Sequence, residues 1–149
     1  MTTPRPLGPP VLAPPGSVER EAAARLLATA GLPALGGPAD VLVALGEGGA
    51  VVGTVALETY GDDGLLRSLA VHPAHRGWGV GARLVAALEA HARDLGLDSL
   101  ALLTTTAAPF FAARGYREVE RAEVPKAVRA SSEFRGVCPS SATCFVKRL

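Results

Sequence analysis

Four scarcities in this 149-residue chain narrow its function before any motif is considered. Cysteine is scarce: Cys138 and Cys144 lie six apart with no second pair and no nearby histidine, which leaves a structural zinc site without ligands and points to reduced thiols. Charge of one sign is scarce as well, the formal net charge being +1. Up to Tyr60 there are three basic and five acidic residues, and from Gly61 onward twelve basic and nine acidic. That mild cationic bias suits a small anionic ligand and falls far short of the clustered basic face a nucleic acid needs. Long apolar runs are missing: nothing approaches the ~20 residues of a membrane span. The proline-rich start MTTPRPLGPPVLAPPG lacks the unbroken apolar core of a signal peptide, so a soluble cytoplasmic protein is expected. Finally, no lysine follows the glycines at positions 77, 79 and 81, which removes a Walker-type nucleoside triphosphate loop.

What is present describes a compact domain. Hydrophobic residues make up 48% and charged residues 19%, a globular balance, and the length fits one domain over 1–149 with residues 1–10, four of them proline, as a loose leader. A short extended segment near Val11–Pro14 precedes a helix capped by Ser17, with Glu19 and Glu21 in its first turn, an apolar stripe of Val18, Ala22, Leu26 and Ala30, and Gly31 as its stop. Leu32–Asp40 reads as a loop able to lie over a pocket. Val41–Leu45, the turn Gly46–Gly49 and Ala50–Thr59 read as a hairpin, and the turn Gly61–Gly64 returns the chain into a strand over Leu65–Val71.

A helix then opens inside the glycine run, with Gly81, Val85, Leu88, Ala92 and Leu95 on one face, Arg83, Glu89 and Arg93 on others, and Gly96 as its stop. Leu100–Thr105 reads as a strand, Ala107–Arg114 as a short helix stopped by Gly115, and Tyr116–Arg121 as a strand. A further helix has Pro125 in its first turn, and Ala142–Lys147 closes the chain as a strand. The order β-α-β-β-β-α-β-α-β-α-β places the fold in the α/β (α+β) class: a mixed sheet with helices on its faces.

The segment RSLAVHPAHRGWGVGARL, Arg67–Leu84, carries the chemistry. A helix N-terminus offers unpaired amides and the positive end of the helix dipole, so an anion is stabilised there. Glycines add positive φ angles and let a phosphate approach the backbone, and Arg76 adds a charged donor. Gly77-x-Gly79-x-x-Ala82 formally matches the dinucleotide fingerprint, but residues 72–76 separate it from the strand and the neighbouring strands run antiparallel.

The same residues, Leu69-Ala-Val-His-Pro-x-His-Arg76-Gly-Trp-Gly79-Val-Gly81, resemble the acetyl-CoA signature of the GNAT (Gcn5-related N-acetyltransferase) superfamily, [QR]-x-x-G-x-[GA] after a strand ending in x-V-x-P. The resemblance covers Val41–Arg121 well and the ends less well. It implies a mixed, mostly antiparallel sheet with splayed central parallel strands, and acetyl-CoA as the acetyl donor with no metal. It also implies that the amides of Gly77, Trp78, Gly79, Val80, Gly81 and Ala82 grip the pyrophosphate, with Arg76 beside them. Leu69, Ala70 and Val71 would offer backbone groups to the pantetheine arm, which adds as a short pseudo-strand. Trp78 either shields the pyrophosphate or covers the helix end. His72 and His75 have no carboxylate partner and read as loop packing rather than metal ligands, while His91 sits at the surface or its boundary.

The superfamily often continues with N-x-x-A-x-x-x-Y-x-x-x-G-[FY]. Thr104, Ala107, Phe111, Gly115 and Tyr116 stand at those spacings, and the resemblance places Thr104, Ala107 and Phe111 on the cofactor side. Phe111 replaces the tyrosine that protonates the departing thiolate. A thiol with a pKa of about 8.5 leaves tolerably without it, and a water, Tyr60 or a serine such as Ser68 can serve. An amine nucleophile must first lose a proton. Glu58 is the candidate base, because hairpin pairing puts it near Leu66 or Arg67; an ordinary ion pair with Arg67 is the alternative.

The tail from Pro125 to Ser141 is longer than a hairpin requires and gathers Arg129, Ser131, Ser132, Glu133, Arg135, Ser140 and Ser141, either to shape a pocket or as a solvated face. With LRSLAV and LLTTTA it resembles the small GNAT proteins of arsenic-resistance operons and, in the same places, stand-alone N-acetylglutamate synthases. That resemblance implies a small anionic α-amino acid as acceptor, glutamate-like or an arsenical or phosphinate mimic. Arg67, Ser68, Thr105 and Arg129 are its candidate contacts. Cys138 either meets an arsenical or is a buried, inert thiol. Two other readings stay open: a non-catalytic acyl-CoA-binding module, and acetylation of a protein amine. Oligomeric state is not readable in the sequence; an exposed closing strand would be able to pair between subunits in a homodimer.

Overall fold

The computed structural model describes residues 8–35, 38–137 and 141–149. Among the described residues, seven strands and four α-helices follow one another as β1 (Val11–Leu12), α1 (Val18–Thr29), β2 (Asp40–Leu45), β3 (Val51–Tyr60), β4 (Asp63–Val71), α2 (Val80–Asp94), β5 (Ser99–Thr104), α3 (Ala108–Ala112), β6 (Arg117–Val119), α4 (Lys126–Arg129) and β7 (Thr143–Arg148). The strands are ordered β1-β2-β3-β4-β5-β7-β6. β1 runs antiparallel to β2, and β7 antiparallel to both β5 and β6, while β4 and β5 are parallel. This is the mixed, mostly antiparallel sheet expected.

The chain divides into two compact units, one of residues 1–56 and 68–90, the other of 57–67 and 91–149. In the first, alternation along β3 sends successive side chains to opposite faces. Ala56 packs with Ala23 of α1 and with Val41 and Val43 of β2. A side chain at Gly53, on the other face, would meet Leu84 at 2.8 Å and Val80 at 3.0 Å, both on α2. Helices therefore cover both faces of this strand. Ser17 caps α1 by accepting from the Arg20 N–H at 3.2 Å. The buried stripe of α1 is Ala23, Leu26 and Leu27 rather than Val18, Ala22, Leu26 and Ala30. Val18, at the first turn, is 71% exposed.

On α2, Val80, Leu84, Val85, Leu88 and Ala92 are buried. Two expectations fail there: Leu95 lies beyond the helix and is exposed, and Glu89 is buried. Glu89 stands four residues after Val85 and three before Ala92, so it shares their face.

In the second unit Leu65, Ala101, Val124, Val128 and Cys144 form a core cluster. Cys144 is a free, buried thiol whose pKa burial raises, which fits an inert role; Cys138 falls outside the described residues. Gly64 belongs to β4 rather than to the turn, which shortens to Gly61-Asp62. A Cβ on Gly64 would lie 2.8 Å from both Leu57 and Leu100 and 3.0 Å from Leu97. Gly64→Ala should consequently overpack this layer and lower stability by about 1–3 kcal/mol in a urea titration.

The closing strand is not exposed. β7 pairs with β5 from Ser99↔Arg148 to Thr104↔Thr143 and with β6 from Arg117↔Val146 to Val119↔Cys144. Both of its edges are used, so dimerisation through this strand is overturned. β6 is three residues long, α4 only four, and Pro125 is the residue before α4 instead of its first turn. A single π-helical turn, which nothing in the sequence announces, spans Glu133–Val137.

Candidate active site

In the first unit, β4 leads to the glycine loop through a kink. Ser68 has φ +59°, an uncommon left-handed backbone for a residue with a side chain. Beyond it Ala70 is buried, while Leu69 and Val71 are half-buried. The His72 N–H donates to the Val52 carbonyl at 2.8 Å, and His72 Nδ1 accepts from the Ala74 N–H at 3.1 Å. His75 meets the His72 ring edge-on, 5.8 Å between centroids, and its Nδ1 is buried without a hydrogen-bond partner. Both histidines serve the loop's packing, and among the described residues no group of histidine, cysteine and carboxylate side chains could hold a metal ion.

Gly77 and Gly79 have φ +84° and +77°, and a Cβ on either would meet nothing within 4 Å. Conformation demands glycine there, and the space above the loop is open. The Arg83 N–H donates to the Gly79 carbonyl at 3.1 Å, the start of the helical ladder. The amides of Val80, Gly81 and Ala82 therefore precede that ladder, as the first turn of any helix requires. Val80 is 2% exposed and anchors the turn, whereas Arg76 and Trp78 are exposed. Trp78, at 57% exposure, covers little of the helix end. An exposed guanidinium, an open glycine cradle and a helix N-terminus fit a pyrophosphate group.

The second unit holds a buried ionic cluster. Glu58, on β3, and Arg67, on β4, are joined by a contact of 2.6 Å between Oε2 and Nη1. The Tyr60 hydroxyl donates to Glu58 Oε1. Glu133, from the π-helical turn, places Oε1 3.5 Å from Arg67 Nε. Glu58, Arg67 and Glu133 are 6%, 5% and 5% exposed. The cross-strand ion pair named as the alternative for Glu58 is thus present, and both carboxylate oxygens are engaged.

Burial, the hydrogen bond to Glu58 and the charge of Glu58 push the Tyr60 phenol from 10.0 up to about 12. The folded state therefore holds this proton more tightly than the unfolded chain. Its stabilising share is complete below pH 10.0 and is lost as pH rises through about 12. An alkaline titration followed by phenolate absorbance should show one tyrosine ionising near 12 and absent from Tyr60→Phe; a Tyr60 transition near 10 would contradict the buried pairing.

Other candidates stand apart from this cluster. Thr104 Oγ1 accepts from the Ala107 N–H at 3.0 Å and so shapes the turn before α3. Phe111 is 3% exposed and packs edge-on against Phe110 and Tyr116, at 5.1 and 5.4 Å. Thr105 and Arg129 are exposed. Glu133 and Ser131 were visible in the sequence only as part of a polar tail; no spacing rule links them to Arg67.

A family signature described as an acetyltransferase (GNAT) domain matches residues 37–118, and the chain belongs to that family. Among curated relatives, an amino-acid acetyltransferase of Pasteurella multocida is 32% identical over 89 residues, 58% of this chain and 20% of its own length. One from Azotobacter vinelandii is 44% identical over 70 residues, 47% of this chain and 16% of its own. The chain thus spans about a fifth of the length of the curated relatives it matches. Rv2747 from Mycobacterium tuberculosis, solved in complex with CoA and NLQ, superposes with a TM-score of 0.76 at 26% identity, covering 94% of this chain and 99% of that one. The N-acetylglutamate synthase of Neisseria gonorrhoeae, complexed with coenzyme A and N-acetyl-glutamate, shares the fold at TM-score 0.75 and 24% identity, over 97% of this chain and 35% of that one.

Proposed function

We propose that the protein transfers an acetyl group from acetyl-CoA to the amine of a small anionic α-amino acid, glutamate-like or a phosphinate or arsenical mimic such as phosphinothricin or arsinothricin. The open cradle at Gly77 and Gly79, at the N-terminus of α2 in a GNAT chain, carries this reading. Similarity to amino-acid acetyltransferases supports the acceptor class. The free, buried Cys144 fits a reducing cytoplasm.

Arg76 and the amides from Gly77 to Ala82 hold the donor's pyrophosphate, and Leu69–Val71 give backbone groups to its arm. Acetyl-CoA supplies an activated thioester. Glu58, bonded to Tyr60, takes the proton an ammonium must lose before it can attack. Ser68, at the kink of β4, and Tyr60 are the hydroxyls able to return a proton to the departing side. Arg67, with Thr105 and Arg129, serves the acceptor's carboxylates.

One observation favours a second reading. Phe111 is buried and cannot donate a proton, as a non-catalytic acyl-CoA-binding module would tolerate. Incubating the protein with acetyl-CoA and a panel of glutamate, phosphinothricin, arsinothricin, simple amines and peptides, while following free thiol, separates the readings. Thiol release with the amino acids is expected. Binding without turnover means the module, and a response to peptides alone overturns the acceptor.

A further inference from the structure

Trp78 is the one aromatic side chain that this fold leaves outside. Phe111, Tyr116 and Phe145 are buried, and Tyr60, Phe110 and Phe134 are half-buried; Trp78, the sole tryptophan, is 57% exposed. Single exposed apolar side chains are common and by themselves call for no ligand. The place of this one sets it apart. Gly77 and Gly79 flank it with φ +84° and +77°, and a Cβ at either would meet nothing within 4 Å, so the backbone on both sides of the indole borders open space. Arg76, two residues earlier, is exposed as well.

Acetyl-CoA, the donor in this family, has two unlike ends. Its pyrophosphate joins the pantetheine arm to an adenosine 3′-phosphate. When the loop grips the pyrophosphate and the arm runs along β4, the nucleoside leaves by the opposite end, its base one ribose away. Adenine is a planar π-system that stacks on an aromatic ring, and more than half of the Trp78 surface is open to such a contact.

We infer that Trp78 is a specificity-determining residue for the donor: its indole stacks on the adenine of acetyl-CoA, so the protein recognises the free coenzyme by its nucleotide end. Thioesters that stop at phosphopantetheine are then poorer donors. This rests on the donor site proposed above and deepens it.

A sole tryptophan reports on itself. Emission of the full chain should be quenched by coenzyme A and by adenosine 3′,5′-bisphosphate, and stay level with 4′-phosphopantetheine or inorganic pyrophosphate. By isothermal titration, Trp78→Ala should raise the coenzyme A Kd roughly three- to tenfold, with Trp78→Phe recovering part of the loss. The Kd of 4′-phosphopantetheine, which lacks the base, should be the same in all three proteins. The kcat/KM ratio of acetyl-CoA over acetyl-4′-phosphopantetheine should fall in Trp78→Ala by the same factor as the affinity. Quenching by pyrophosphate equal to that by coenzyme A would place the ring over the phosphates and overturn the inference, as would a coenzyme A Kd unmoved in Trp78→Ala. Either result leaves the native protein's acetyl transfer standing. Absence of thiol release with quenching intact has the opposite meaning: acetyl transfer falls and the stacked base remains.

Discussion

Arg67→Met should cost the protein about 3–5 kcal/mol of stability, the largest loss expected from any single substitution in the ionic cluster. The reason lies in what remains. Glu58 and Glu133 stay buried after their common cation has gone, and desolvating a carboxylate without a partner is expensive. Replacing all three residues, as Arg67→Met with Glu58→Leu and Glu133→Met, removes the stranded charges and should recover more than half of the loss, short of full recovery because Tyr60 loses its acceptor. Urea unfolding midpoints measure both. Equal stability of the single variant and the native protein would mean that the cluster is not buried as described.

Gly79→Ala should have the second largest effect, and on ligand rather than on fold. A Cβ there meets no protein atom within 4 Å, so the damage is conformational: φ +77° is costly for an L side chain, by about 1–2 kcal/mol. The loop then either carries that strain or relaxes, and relaxing turns the amides ahead of α2 away from the anion. The acetyl-CoA Kd should rise roughly ten- to a hundredfold, about 1.4–2.8 kcal/mol. Trp78→Ala is the contrast: its exposed ring packs little, and stability should change by less than about 0.5 kcal/mol. Isothermal titration with acetyl-CoA decides, and an unaltered Kd in Gly79→Ala would remove the loop from the donor site.

The glycine loop was legible because its signals are local: a strand, a charged donor, alternating glycines and a helix. The meeting of Glu58 and Arg67 was legible too, since a short hairpin fixes which residues face each other. What escaped depends on distant parts of the chain. Glu133 reaches Arg67 from a π-helical turn that has no sequence signature, and Gly64 looked like a turn residue because glycine is the usual punctuation there. The stripe of α1 was misplaced because alanines and leucines lie all round it; packing of Ala23 on Val41, Val43 and Ala56, and of Leu26 and Leu27 on Ala70, chose the buried face.

The position of β7 also dictates the order in which the chain can mature. β6 is made earlier than β7 yet reaches β5 only across it, so residues 117–119 have no ladder to join until 143–148 arrive between them. Such non-local pairing delays folding, because loop closure comes before its reward. On the ribosome, β6 must wait for β7, whereas the hairpin bearing Glu58 and Arg67 can close early and β5 can join β4 before β7 is made. The ion pair between those two residues is thus available as an early fixed point around which the rest is assembled.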